Sequence, residues 1–496
     1  MGSESTKAIR PFPFSRGAII IVLAAGLVLL VISTVTIGAY LGTAMAALTV
    51  LALIAGLGTI LVSSLRGGEY LSFILLVSFL PSLRLILGQR LAFYAFDPVL
   101  IFAYVLWAGE FLSGRIQRFR LTLVDALWGM WLAWLFVASL FGARVAIALD
   151  EWALWFRAFL IYFYVAHRAS KRAIGVFIWI LALIVLLEGV LGSLQFATRS
   201  NIGALSDLVG ERVNEARTIT LTSGTQLFRV RGTLGSDTAL AHWLELSLPV
   251  LFSLLLAETS LRRSLWWLFT LVMGVIAMVL TFTRGGWLGL TAGMSLVVLL
   301  NLRRLLRYPR LFAVMTITLV LMALAATPFA SLIWERLTAS AEDTISVRVN
   351  LNRAALQVIQ DHPITGIGLG NFPWVAPDYG VGYSWPSEGA EHKVHNLYLA
   401  LAAEGGVPAL LLFLCLLAVA FARARQVRDD QDETTIVAVA RGIWAGNIAV
   451  LIHGLVAWGL ISYMVLPLWA FMLGMLTAAI RWDKAMTWEE APRSSG

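Results

Sequence analysis

Long apolar runs separated by short polar or basic stretches recur along almost the whole chain. A helix needs about 20 mainly apolar residues to cross the hydrocarbon core of a bilayer. Runs of that size begin near residues 18, 43, 70, 91, 122, 152, 173, 239, 265, 286, 311, 397, 437 and 460. The pattern predicts an all-α fold, a polytopic transmembrane helical bundle of about 12–14 spans. The stretch 70–112 is the least regular, because Pro81, Arg84 and Arg90 interrupt it. No fixed-period repeat and no low-complexity tract stands out. The run from Ala18 is uncharged to Ser64, far longer than the about 7–15 residue core of a secretory signal, so it reads as an uncleaved pair of spans.

Composition agrees with the pattern. The 496 residues are 59% hydrophobic and 13% charged, against about 45–50% and about 25% for soluble domains. The single cysteine, Cys415, excludes an internal disulfide and a zinc cluster. The net charge of +8 matters through its distribution. Cytoplasmic loops are enriched in Lys and Arg. With Lys7, Arg10 and Arg16 inside, alternate loops carry Arg115, Arg118 and Arg120; Arg168, Lys171 and Arg172; Arg262 and Arg263; Arg303, Arg304, Arg307 and Arg310; and Arg423, Arg425 and Arg428. The basic excess is therefore a topology signal and implies no nucleic acid.

This orientation makes residues 1–17 a cytoplasmic tail, 18–197 an N-terminal transmembrane region, and 198–480 a second membrane region. Residues 481–496 form a cytoplasmic C-terminal tail. Two long excursions, about 198–238 and 335–395, fall outside, the second large enough to be a helical extracytoplasmic loop. Arginines on that side run against the trend and need a reason.

Three segments hold them. In "FRVRGTLGSD", Arg229 and Arg231 precede a span whose start Asp237 or Thr238 is placed to cap. Guanidinium groups beside a helix N-terminus make an anion site; the alternative is a pair binding lipid head groups at the interface. In "TFTRGGW", Arg284 stands in a short turn where Gly285 and Gly286 permit a reversal; its bland role is an interfacial anchor beside Trp287. In "SVRVNLNRAALQVIQDHPITGIGLGNF", an amphipathic helix from Ser346 to Ile359 carries Arg348 and is stopped by Pro363. The "GIGLGNF" that follows is no dinucleotide fingerprint, since no strand precedes it and no helix opens on it; it suits close approach to a neighbouring segment or a substrate. Phe372, Trp374, Tyr379, Tyr383 and Trp385 then crowd one loop, either as platforms for sugar faces or as packing onto the membrane interface.

"KVHNLYLALAAEGGVPALLLFL" opens the next span with His395 and Asn396, the latter suited to cap it. Gly405, Gly406 and Pro408 predict a short leading helix, a break, and then the main span. On a straight helix Glu404 would lie roughly 13 Å below His395. A glutamate so placed is costly unless paired, and it suits holding the broken backbone or an arginine such as Arg284. An imidazole of ordinary pKa near 6.5 can act as a base. A base beside a phosphate clamp on the outer face suggests group transfer from a phosphate-activated donor.

These motifs resemble those of the O-antigen ligase and polymerase superfamily of bacterial membrane glycosyltransferases. "HNLYLALAAEGG" is similar to the family's His-Asn…Leu…Glu-x-Gly signature, on His395, Asn396, Leu399, Glu404 and Gly406. "TRGGW" resembles its Ser-Arg-Gly turn, with Thr283 in place of Ser. "RVRGT" resembles an Arg-x-x-Gly-Thr segment on Arg229, leaving Arg231 extra. "SVRV…HPITGIGLGNF" resembles an Arg…Pro-x-x-Gly-x-Gly segment on Arg348, Pro363, Gly366 and Gly368. The likeness runs over roughly residues 225–480. One departure is "GSDT", which stands where many members read Gly-Asn-Pro-Asn, so Asp237 inherits no role.

The resemblance implies a GT-C type, inverting glycosyltransferase of the bacterial inner membrane, with no cofactor and no metal. Its donor would be an undecaprenyl-diphosphate-linked glycan, its acceptor a glycan or glycolipid hydroxyl, and its site extracytoplasmic. It implies His395 as base, Arg229, Arg231, Arg284 and Arg348 as substrate-binding residues, and Asn396 and Glu404 as residues that orient the site. Ligase and polymerase share these motifs. A transporter is the rival class, with Asp97, Asp125, Arg157, Glu188 and Glu245 within or near spans; the paired halves usual in transporters do not stand out.

Overall fold

The computed structural model describes residues 84–87, 91–94, 96–112, 121–200, 226–338, 342–381, 393–425 and 434–489, together with residues 202, 218–220, 224 and 427. The spans expected from 18, 43 and 70, the N-terminal tail, most of the first external loop, and Tyr383 and Trp385 lie outside the described residues.

Helices dominate. In chain order they are α1 (Asp97–Leu112), α2 (Leu123–Leu140), α3 (Val145–Arg168), α4 (Lys171–Thr198), α5 (Asp237–Ala257), α6 (Leu261–Leu280), α7 (Arg284–Leu300), α8 (Leu302–Arg307), α9 (Pro309–Ala326), α10 (Ala330–Thr338), α11 (Glu342–Asp361), α12 (Phe372–Val375), α13 (Leu397–Ala424), α14 (Thr434–His453) and α15 (Leu466–Glu489). Seven helical stretches among the described residues are long and apolar enough to cross a membrane, and Arg284–Leu300 and Leu466–Arg481 are shorter apolar helices. Among the described residues, strand is confined to two small antiparallel hairpins, β1 (Arg84–Leu87) with β2 (Leu91–Tyr94) and β3 (Thr218–Thr220) with β4 (Gln226–Phe228). The first corrects the sequence expectation. No span begins at 91; the chain pairs as a hairpin there, and α1 starts only at Asp97, whose carboxylate accepts the Tyr94 amide at 3.0 Å.

The bundle is built around α5, buried along almost its whole length and flanked by α14, α6 and α7. Close packing there depends on small residues, as is usual between membrane helices. A Cβ on Gly442 or Gly446 of α14 would stand 2.4 Å from Val250 Cα or 2.7 Å from the Leu246 carbonyl, both on α5. Elsewhere α15 packs on α3, α4 on α6, and α2 on α13. By contrast, α9 is mostly exposed within the protein, as a helix facing lipid would be.

A second, smaller hydrophobic cluster sits under the second long loop. Leu351, Ala354, Ala355 and Val358 of α11 pack with Ile367, Phe372, Ala376 and Val394, and with Ala400 and Ala403 of α13. The amphipathic helix expected from Ser346 is therefore real, runs Glu342–Asp361, and is bound to the leading half of α13.

Candidate active site

The N-termini of α5, α7 and α13 and the C-termini of α6 and α14 meet at one end of the bundle. Arg229 ties the first of these together: Nε donates to the Thr281 carbonyl at 2.8 Å, Nη2 donates to Thr283 Oγ1 at 2.9 Å, and the guanidinium pairs with Asp237. Gly285 lies against His453, so close that a Cβ there would be 2.7 Å from Nε2. The Leu397 amide donates to the Gly454 carbonyl at 2.7 Å, and Asn396 Nδ2 to the Leu455 carbonyl at 3.0 Å. His395, half-buried, is next in sequence to Asn396. His395 and Arg284 thus share one face of the protein.

Two local expectations change. Ser236, not Asp237 or Thr238, caps α5, its hydroxyl accepting from Ala239 at 3.3 Å; Asp237 is turned toward Arg229. Gly285 and Gly286 do not make the reversal after α6. Both are helical, in the first turn of α7, and the turn falls on Thr281–Thr283 with Phe282 at φ 49°. What these glycines supply is room, for His453 and for Ala241.

Arg348 joins the cluster from α11. It is half-buried where its sequence neighbours Val347 and Val349 are exposed. Burial holds its guanidinium below the ordinary arginine range, and Arg284 and Arg229 add to this by repulsion. Sequence reasoning missed Arg336, on α10, which lies within electrostatic range of Arg284, Arg229, Arg348 and Asp237 and donates from Nε to the Phe282 carbonyl at 3.4 Å. Neither Arg336 nor Arg348 has a carboxylate partner among the described residues. Four guanidinium groups lie within electrostatic range of one another, with Asp237 paired to Arg229, an arrangement suited to an anion.

Arg231 differs from Arg229. It is buried, and its amide donates to Gln195 Oε1 at 3.0 Å, as does the Gly232 amide at 2.9 Å. Glu188, seven residues earlier on α4, accepts from the Thr233 amide at 2.9 Å and from its hydroxyl. Two polar residues on one face of α4 therefore fix the loop that carries Arg229.

Asn396 caps α13 as its position implies, Oδ1 accepting the amides of Tyr398 and Leu399 at 3.0 Å each. The expected break is present at Gly406, with φ 77° and ψ 167°. Glu404 is buried beside it and faces away from the arginines toward the glycine-rich loop. Its carboxylate accepts the Gly370 amide at 2.9 Å and the Phe372 amide at 3.4 Å, while its carbonyl takes the Gly368 amide at 2.9 Å. The glycines of that loop serve close approach to neighbouring protein: Gly366 against Ala403 and Glu404, Gly368 against Gly142. Of the loop aromatics, Phe372 is core, Trp374 lies under the Arg144 guanidinium at 3.8 Å, and Tyr379 donates to Asp361 at 2.9 Å.

Sequence reasoning also passed over a buried group beneath the arginines. His453 Nδ1 lies 3.0 Å and 3.2 Å from the two carboxylate oxygens of Glu245, and its ring stacks on His242 at 4.0 Å. These three have the donor types and closeness that a metal ion uses. Arg229 and Arg348, within electrostatic range of His453, oppose a dication there. The acids considered for a transport pathway are engaged one by one in separate places: Asp97 by Arg157 at 3.2 Å, Asp125 by Tyr162 at 2.7 Å, Glu188 by Thr233 and Glu245 by His453.

Fold and site together define a multi-pass helical membrane protein with a cationic site at one end of its bundle. Residues 246–414 match the family model for O-antigen ligase, so this part of the chain is similar to that family. The matched stretch holds Arg284, Arg336, Arg348, His395, Asn396 and Glu404; Arg229, Arg231 and His453 flank it. No curated protein matches the chain.

Proposed function

We propose that the chain moves a glycan from an undecaprenyl-diphosphate carrier to an acceptor hydroxyl on the outer face of the bacterial inner membrane. The observation that carries this reading is the gathering of Arg229, Arg284, Arg336 and Arg348 at the end of the bundle where His395 stands. The chain at and beyond the opposite ends of α6, α7 and α13 carries Arg262, Arg263, Arg303, Arg304, Arg307, Arg423 and Arg425, the pattern of a cytoplasmic side, which supports an outer-face site.

In the reaction, the acceptor oxygen bonds to C1 of the sugar, and the C1–O bond to the diphosphate breaks with its electron pair staying on the phosphate oxygen. Arg229, Arg284 and Arg348, with Arg336 beside them, hold the diphosphate and stabilise the charge it gains. They supply positive charge without a metal. His395 takes the proton of the attacking hydroxyl and sheds it to water at the mouth of the site. Attack opposite the diphosphate inverts C1. Arg231 and Asn396 support the site, Arg231 from the loop beside Arg229 and Asn396 by capping α13. Glu404 acts at one remove, by fixing the glycine loop.

Transfer in isolated membranes tests the assignment: His395→Ala abolishes it, and full transfer by that variant refutes the base. The glycan made by a deletion strain separates the two family activities. Loss of all attached polymer means ligase; a single attached repeat means polymerase.

A further inference from the structure

His453, Glu245 and His242 have no part in the scheme above, yet they lie directly beneath its arginines. His453 closes α14, and its ring is buried. Nδ1 is engaged by Glu245 at 3.0 Å. One ring face is covered by His242, whose own Nδ1 donates to the Thr238 carbonyl at 2.8 Å and whose Nε2 is sealed without a partner. His242 is thereby fixed as a neutral spacer. His453 Nε2 is different: it makes no hydrogen bond among the described residues and lies against Gly285, in the first turn of α7 beside Arg284. No side-chain cap occupies that helix start, where Thr283 is the capping residue, and backbone donors at a helix N-terminus favour anions.

We propose that His453 is a further donor-binding residue of this site, presenting Nε2 to the phosphate that the arginines hold, with Glu245 as the counter-charge on Nδ1. The proposal rests on the diphosphate reading of the arginine cluster. To donate through both nitrogens the ring must be an imidazolium, so one proton is taken from solvent as the donor binds and returned when the diphosphate carrier leaves. Glu245 and His242 of α5 touch the ring, and Arg229 and Arg348 act on it electrostatically; Arg284, Arg336, Asp237 and His395 are the other titratable or charged groups at this end of the bundle. Before the donor binds, cations outnumber anions among them. A doubly negative diphosphate added beside Nε2 tips the ring toward its charged form. Glu245 then serves a purpose that justifies a carboxylate inside the bundle.

Farnesyl-diphospho-N-acetylglucosamine is a suitable probe, because its diphosphate diester keeps the same charge from pH 6 to pH 9. Its binding to the purified full chain in nanodiscs is measured by calorimetry in two buffers of different ionisation enthalpy. The wild type is expected to take up about one proton per probe in its linked range, and its affinity to fall by up to about tenfold per pH unit as pH rises through that range. His453→Gln keeps an N–H donor but cannot be protonated; it is expected to bind the probe with no proton uptake and no pH slope. Glu245→Gln is expected to reduce uptake and weaken binding at low pH. Probe binding by the wild type without proton uptake overturns the proposal and leaves the diphosphate reading intact. Uptake that survives His453→Gln overturns it too, since the proton then goes elsewhere, to His395 for instance. Stoichiometric transition metal in the purified protein would also overturn it. Loss of binding in Arg284→Lys at every pH is the separate check on the reading beneath.

Discussion

Asp237 turns back from the first turn of α5 to pair with Arg229, while Arg229 bonds the Thr281 carbonyl and Thr283 hydroxyl before α7. One guanidinium thus joins the start of α5 to the turn between α6 and α7. Its position is set by protein on several sides before any substrate arrives, which is the preorganisation that electrostatic catalysis requires. Removing Asp237 would leave four clustered arginines without that carboxylate. Asp237→Asn is expected to lower thermal stability of the purified protein in low salt and to recover part of it in high salt or with added pyrophosphate, read by differential scanning fluorimetry.

Arg284→Lys keeps the charge and loses the planar fork, which a point charge does not replace. Loss of one such donor typically costs about 10²–10³ in rate. The expected result is a fall of that size in kcat/KM for transfer in membranes, with normal protein abundance. Near-normal transfer would mean that the guanidinium plane does not meet the diphosphate.

Glu404 accepts two backbone amides that have no other described acceptor. An unsatisfied buried donor costs about 1–3 kcal/mol. Glu404→Ala is expected to destabilise the fold by roughly that amount for each amide, and Glu404→Gln, with one acceptor left, by less. Chemical denaturation in detergent orders the three proteins; equal stability of all three would remove the structural role assigned to this carboxylate.

Gly406→Ala meets two obstacles. Its φ of 77° disfavours a side chain, and the new Cβ would stand 1.8 Å from the Ile364 carbonyl. Strained φ alone costs about 1–3 kcal/mol, and relief of the clash must displace the glycine loop. Gly129→Ala, with nothing within 4 Å of its added Cβ, serves as control. The expected outcome is normal yield for the control and much reduced yield and transfer for Gly406→Ala.

Glu188→Ala and Gln195→Ala probe the support of the Arg229 loop from α4. Both are expected to weaken donor binding, raising KM, while leaving a folded protein. Unchanged KM would show that the loop holds its place without them.

Span positions were legible from apolar length alone wherever the run was continuous, as at α2, α4, α5, α6, α13 and α14. The strand Leu91–Tyr94 was not, because apolar residues in a short run fit strand or helix equally and only Asp97 marks the true start. Arg229, Arg284, Arg348 and His395 stood out because they interrupt the expected alternation of basic loops. Arg336 escaped notice because it follows an apolar helix like any boundary residue. His453 escaped because it closes a span in the ordinary place for a polar end, and its pairing with Glu245, 208 positions earlier, depends on the contact of α14 with α5. Nothing local in sequence announces such a pair. Glu404 was recognisable as a residue needing partners, yet those partners are backbone amides of a distant loop.

The poor burial of α9 has a consequence for how the molecule comes apart. The α5 seam is locked by backbone approaching backbone, whereas α9 borrows most of its surroundings from whatever amphiphile surrounds it. Detergent exchange should therefore loosen the arm that ends in Arg336 while the centre stays intact, giving two melting steps instead of one cooperative transition, the first moving with lipid supply.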